Sequence, residues 1–173
     1  MTTLLTAFVF LLPAGIANMA PVLFSFIPWG SFPIDGRFTF RGRRIMGDNK
    51  TLRGFAAGWI AGVLTTIVLT GWVPWLLPEF ALAQPVLFGT LMGIGALVGD
   101  SVESFFKRQL DIPPGDRWTP FDQIDWILGA LLFTAPVVPI SAELALVCIV
   151  LFGLLHPLTN IIGKLVGLRR AWL

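Results

Sequence analysis

The sequence predicts an all-α integral membrane protein, one membrane domain over residues 1–173 with five transmembrane helices. Composition is the first indication. Of the residues, 55% are hydrophobic and only 13% charged, with mean hydropathy +0.82, more apolar surface than a soluble domain of this length hides in one core. Apolar stretches then recur at residues 4–27, 55–73, 86–105, 124–140 and 144–166, each close to or above the roughly 17–20 residues a helix needs to cross the hydrocarbon. Finally, the 12 Lys and Arg fall in three groups only, at residues 37–53, 107–117 and 164–170. Basic loops stay in the cytoplasm, so the N-terminus is expected outside and the C-terminus inside, a parity that five spans satisfy. The basic isoelectric point follows from those inner loops and gives no reason to expect a nucleic-acid partner.

Each element has its own justification. The first span has no Lys or Arg before it and exceeds a secretory apolar region, so it is expected to be retained. Trp29, Trp72, Trp75, Trp126 and Trp172 stand at span ends, where interfacial anchors sit. Two inner loops are long enough to act, residues 28–54 and 108–123. The outer connections carry only Glu79 and Glu143. The fourth span is the shortest and contains Pro136 and Pro139; it is expected to be little tilted, broken, or paired with the fifth as a hairpin turning at 139–143. Cys148 lies mid-span as a small apolar filler. His156 before Pro157, with Asn18 and Asn160, reads as a set of polar residues satisfied within the bundle rather than as catalytic groups.

The third span carries the chemistry. Asp100 lies roughly 10 Å below Lys107 along a helix rising 1.5 Å per residue, and an acid at that depth marks a functional site by default. Asp122 and Asp125, spaced i and i+3, share a face at the start of the fourth helix, although an Asp there also serves as an ordinary cap. With Asp100 they can converge at the cytoplasmic surface. Clustered carboxylates with open positions suit Mg²⁺ where a phosphate supplies further oxygens. Ser104 shares the Asp100 stripe, Glu103 and Lys107 are an i,i+4 pair, and Lys107 and Arg108 are both a topogenic flank and cations in reach of a phosphate. The first loop adds Arg41, Arg43 and Arg44 among glycines, then Asn49, Lys50 and Thr51. Such a segment offers amides and guanidinium forks to a polyphosphate, or grips anionic headgroups. It is not a Walker loop, because Gly47 lies three residues before Lys50 instead of directly before it.

The order Gly99-Asp100-x-x-Glu103-Ser104-x-x-Lys107-Arg108, followed by Asp122-Gln123-Ile124-Asp125, resembles the signature of the membrane CTP:phosphatidate cytidylyltransferases. The whole chain is similar to their archaeal branch, the CDP-archaeol synthases, through residues 17–22, Pro33-Ile34-Asp35-Gly36, Gly47-Asp48-Asn49-Lys50-Thr51-x-Arg53-Gly54 and residues 156–160. Two departures from the bacterial-type signature stand out: residues 110–118 replace its Lys-Asp pair and His-containing stretch, so no His is carried over, and the intervening loop is shorter; separately, Leu52 stands where the family often has Trp. The resemblance implies Mg²⁺-dependent cytidylyl transfer from CTP to a lipid phosphate, here an isoprenoid ether lipid, releasing pyrophosphate at the cytoplasmic face of the cell membrane. It implies Asp100 and Asp122 as metal ligands, with Asp125 a ligand or their support, and Lys107 beside them in catalysis. Asn49, Lys50, Thr51, Glu103, Ser104, Arg108, Arg43 and Arg44 would bind the nucleotide. A CDP-alcohol phosphotransferase requires Asp-Gly-x-x-Ala-Arg, which Asp35-Gly36-Arg37 does not continue. A transporter subunit would spread polar groups along the membrane depth, whereas here they crowd one end.

Overall fold

The computed structural model describes the backbone of residues 2–113, 116 and 118–165, and side chains of those between residues 3 and 155. The basic positions Arg117, Arg169 and Arg170, Trp172, and the side chains of His156, Asn160 and Lys164 lie outside this description. Among the described residues six α-helices follow one another: α1 (Thr2–Leu23), α2 (Leu52–Trp72), the short α3 (Glu79–Ala83), α4 (Pro85–Gln109), α5 (Phe121–Thr134) and α6 (Ala142–Leu165), with a 3-10 turn at Pro74–Leu76 between α2 and α3. A two-residue hairpin, β1 (Thr39–Phe40) and β2 (Arg43–Arg44), stands in the first long loop. Arg41 and Gly42 both have positive φ, 53° and 78°, as a two-residue hairpin turn requires.

Among the described residues, α1, α2 and α4 are long and apolar enough to cross a membrane, and α6 is apolar over Ala142–Leu155, the part whose side chains are described. The fourth apolar stretch is broken. Its helix, α5, has 14 residues and ends at Thr134, because Pro136 lacks the N–H that a further turn would need.

In a bilayer, helices gain little by hiding apolar surface from lipid, and close backbone packing through small residues replaces that drive. Gly54, Gly58, Gly62 and Thr66 form the buried stripe of α2, and a Cβ on Gly89 of α4 would stand 2.6 Å from the Cα of Val63. The α4–α5 contact is tighter still. A Cβ on Gly99 would lie 2.2 Å from the Asp125 carbonyl oxygen, and one on Gly129 would lie 2.1 Å from that of Gly95. This crossing sets Asp100, one residue after Gly99, beside Asp125.

Above it the core closes with Phe10, Phe88, Met92, Ile127 and Cys148, so Cys148 is the filler its position suggests. Trp126 is not an interfacial anchor. It is 7% exposed and meets the Phe152 ring edge-on at 5.6 Å, because α5 begins three residues before the apolar stretch and its first turns already lie inside the bundle. Trp29, Trp72 and Trp75 do remain exposed.

Candidate active site

The loop between α1 and α2 is built on a short antiparallel seam. Ile34 N–H donates to the Lys50 carbonyl at 2.8 Å, Leu52 N–H to that of Phe32 at 3.0 Å, and Arg53 N–H to that of Gly30 at 2.9 Å. Thr51 then starts α2 as its cap, its Oγ1 accepting the Gly54 N–H at 3.1 Å, which satisfies one of the unpaired donors of a helix start. Lys50, held from behind through its carbonyl, reaches across to α4 and pairs with Asp100.

Behind the seam Asp35 is buried. Its Oδ1 accepts the Arg37 N–H and its Oδ2 the Met46 N–H, each at 2.9 Å, and the Arg44 guanidinium lies 3.1 and 3.2 Å from the two oxygens. Burial works against the Asp35 charge, but the two amides and Arg44 more than offset it and hold the carboxyl below its usual range. Arg44 also donates to Asp48 at 2.9 Å, and its carboxylate partners raise its own pKa. Arg43 pairs with Asp111 and donates to the Gln109 carbonyl, while Gln109 Nε2 donates to the Arg44 carbonyl at 3.3 Å.

On the facing helices Asp100, Glu103 and Asp125 each offer a carboxylate oxygen, all within 4.8 Å of one another. Lys107 Nζ lies 3.0 Å from both Glu103 Oε1 and Asp122 Oδ1. Asp122 Oδ2 accepts the Trp118 N–H at 2.7 Å.

The family resemblance implies Asp122 as a metal ligand, yet the three carboxylates brought together are Asp100, Asp125 and Glu103, the last of these expected on the nucleotide. Asp122 begins its helix on the far side of Lys107, which takes one of its oxygens. The available signal for Glu103 was its i,i+3 spacing from Asp100, the same signal used for Asp122 and Asp125. Glu103 is buried, and its Oε1 has the Lys107 charge nearby but no hydrogen bond.

A polar cavity of about 180 Å³ collects Asn49, Lys50, Asp100, Glu103, Ser104, Lys107, Arg108, Asp122 and Asp125 on one wall system. Arg43 and Arg44 do not line it. A second cavity of about 570 Å³ adjoins it across the Lys50–Asp100 pair and adds Asn18, Ser25, Ser31, Thr51 and Arg53. Asn18, expected as a satisfied interior amide, thus faces a cavity. An apolar groove of about 460 Å³ runs between α4 and α5, along Val102, Phe106, Phe121, Leu128 and Leu132, and ends at Glu103 and Asp125. Glu103 and Asp125 therefore stand where polar cavity and apolar groove meet, with Asp100 beside them on the polar side, an arrangement able to present a phosphate on an apolar chain to a charged, water-soluble phosphate.

Known proteins resemble this chain in sequence and fold. A family model described as CarS-like CDP-archaeol synthase matches residues 1–173. The CDP-archaeol synthase of Methanospirillum hungatei JF-1 is 41% identical over 172 residues, covering 92% of this chain and 98% of its own. That of Pyrococcus furiosus is 40% identical over 164 residues, covering 94% of each. A solved structure described as an intramembrane enzyme for archaeal membrane lipids biosynthesis superposes with a TM-score of 0.75 at 32% identity, over 90% of this chain and 92% of that one. With the whole chain matched and the fold shared, the chain belongs to the CDP-archaeol synthase family.

Proposed function

We propose that this enzyme transfers the cytidylyl group of CTP to the phosphate of an isoprenoid glycerol ether lipid, at a site facing the cytoplasm from a five-span membrane domain. The observation that carries the reading is the meeting of the apolar α4–α5 groove and the polar cavity at Glu103 and Asp125. The isoprenoid chains lie along Val102, Phe106, Leu128 and Leu132, leaving the lipid phosphate at the acids. CTP enters from the aqueous side, its triphosphate beside Asn49, Lys50 and Lys107.

An oxygen of the lipid phosphate attacks the α-phosphorus of CTP. The bond from that phosphorus to the oxygen bridging to the β-phosphate breaks, and pyrophosphate leaves with the electron pair. The attacking phosphate is already anionic near neutral pH, so no side chain has to remove a proton. What remains is alignment and charge, which cations fixed in a poorly hydrated site provide most effectively. Lys50 and Lys107, anchored by Asp100 and by Glu103 and Asp122, are placed to hold phosphate oxygens in line.

Asp100, Glu103 and Asp125 fit Mg²⁺, being hard carboxylate donors within 4.8 Å of one another. Mg²⁺ held there would neutralise charge on the reacting phosphates. Asp122 orients Lys107, and Ser104 and Arg108 complete the nucleotide side. Five crossings require α5 and the chain up to residue 141 to traverse the membrane together. Backbone outside a helix is tolerated at that depth when buried in protein, and Val138 is 3% exposed.

The test is turnover in proteoliposomes with CTP labelled in the α-phosphate and a panel of acceptors: geranylgeranyl diether phosphate, diacylglycerol phosphate and soluble glycerol phosphate. Label is expected in a lipid product with the diether phosphate, with an equal amount of pyrophosphate. Pyrophosphate release without a labelled lipid from any acceptor would refute the reading.

A further inference from the structure

We infer that Asp35 and Arg44 are positioning residues for the nucleotide, and that Arg44 acts by holding the loop in place and not by touching CTP. The inference rests on the reading above in which Asn49 and Lys50 hold CTP. The Asp35 side chain is 1% exposed, and a carboxylate so buried must be fully partnered to stay charged. Its partners come from separate stretches of the loop: the Arg37 amide, the Met46 amide and the guanidinium of Arg44 in β2. One carboxylate thus ties the two arms and the hairpin together.

Both ends of the Asn49-Lys50 pair hang from this tie. On one side Ile34, next to Asp35 in the chain, donates its N–H to the Lys50 carbonyl at 2.8 Å. On the other, the second arm of the Arg44 fork holds Asp48, next to Asn49, at 2.9 Å. The hairpin is in turn fixed to the end of α4, by Gln109 on the Arg44 carbonyl and by Arg43 on Asp111. The helix that carries Asp100, Glu103 and Lys107 and the loop that carries Lys50 therefore keep one spacing.

Arg44 itself is poorly suited to bind a polyphosphate. Both of its terminal nitrogens are engaged by carboxylates, and the charges of Asp35 and Asp48 outnumber its own. It lines neither polar cavity.

The experiment compares Asp35→Asn, Arg44→Gln, the double variant and Lys50→Ala in the reconstituted full chain, reading kcat, KM for CTP, KM for the lipid phosphate and thermal unfolding. Asp35→Asn and Arg44→Gln are each expected to lower kcat/KM for CTP by about 10²-fold, the effect of an ångström-scale displacement. The double variant should be no worse than either single one, because residues acting through one interaction do not add. KM for the lipid should stay at its wild-type value, while the unfolding midpoint falls, since each change breaks a buried ion pair. Wild-type kinetics in Asp35→Asn with loss in Arg44→Gln, or losses that multiply in the double variant, would overturn the inference. Lys50→Ala separates the two levels: if it leaves KM and kcat for CTP unchanged, the nucleotide reading of the loop fails. If Lys50→Ala is impaired and Asp35→Asn is not, only the positioning inference fails. Should Asp35→Asn not insert, Arg44→Lys replaces it. An ammonium keeps the charge but cannot span both carboxylates as the fork does, so about a 10-fold loss in kcat/KM for CTP is expected, and wild-type kinetics would overturn the inference.

Discussion

Replacing Gly99 with Ala tests whether the α4–α5 crossing sets the spacing of the acids. The added Cβ would lie 2.2 Å from the Asp125 carbonyl oxygen and 2.9 Å from its carbonyl carbon, where real Cβ contacts essentially never fall below 3.0 Å. The obstacle is backbone, so no side-chain rotation relieves it, and the helices must part by about 0.8 Å or more at the residue that carries Asp125. Displacements of about 1 Å in a catalytic arrangement cost on the order of 10²-fold in rate, and overpacking a tight interface costs about 1–3 kcal/mol. The assay is kcat at saturating CTP and lipid phosphate in proteoliposomes, with thermal unfolding followed by circular dichroism. Gly71→Ala provides the control, since nothing lies within 4 Å of a Cβ there, and it should match wild type in both. If Gly99→Ala also turns over at the wild-type rate, the close approach of α4 and α5 does not position the chemistry.

The choice between Glu103 and Asp122 as the third carboxylate can be made by Mn²⁺ binding measured by electron paramagnetic resonance: Glu103→Gln should weaken it by about 10-fold or more while Asp122→Asn leaves it nearly unchanged, and equal losses would return Asp122 to the metal set. Val102→Trp should fill the apolar groove and raise KM for the lipid phosphate by about 10-fold without moving KM for CTP; a rise in KM for CTP instead would place the groove elsewhere in the reaction. The Asp35 tie has a pH signature. Its folded pKa is lowered, so its stabilisation is complete above the unfolded value of about 3.9 and is lost as pH falls through the lower folded value. Hydrogen exchange of the Met46 amide should therefore be flat from pH 7 to about 5 after correction for intrinsic rates, then accelerate in more acidic solution, and acceleration already at pH 6 would contradict the assignment.

The sequence was most readable where chemistry and membrane physics conflict. Asp100 and Lys107 are conspicuous because charge in an apolar helix is costly, and both line the polar cavity. The long spans α1, α2 and α4 were equally plain from length and composition. Less was visible where one residue type serves two environments. Trp126 looks the same in sequence whether it anchors at an interface or fills a core, and only the early start of α5 puts it inside. Arg43 and Arg44 were expected on the nucleotide because their partners could not be seen. Asp111 is 68 residues from Arg43 in the chain, and Asp35 is 9 from Arg44 with a hairpin between them. Thr51, also assigned to the nucleotide, caps α2 with its hydroxyl. Glu103 was not grouped with the other acids because its i,i+4 relation to Lys107 already gave it an ordinary partner, yet it lies within 4.8 Å of Asp100 and Asp125.

The most direct test of the central claim, that cytidylyl transfer takes place at the acids joining groove and cavity, is the rate of labelled lipid formation by Asp125→Asn. This change keeps the shape of a side chain that stands at the end of the apolar groove and on the wall of the polar cavity, and removes its charge. With the protein inserted and its unfolding midpoint unchanged, the account predicts a loss of about 10³-fold or more in kcat, as for removal of a principal electrostatic group at a reacting centre. A rate within a few-fold of wild type would contradict it.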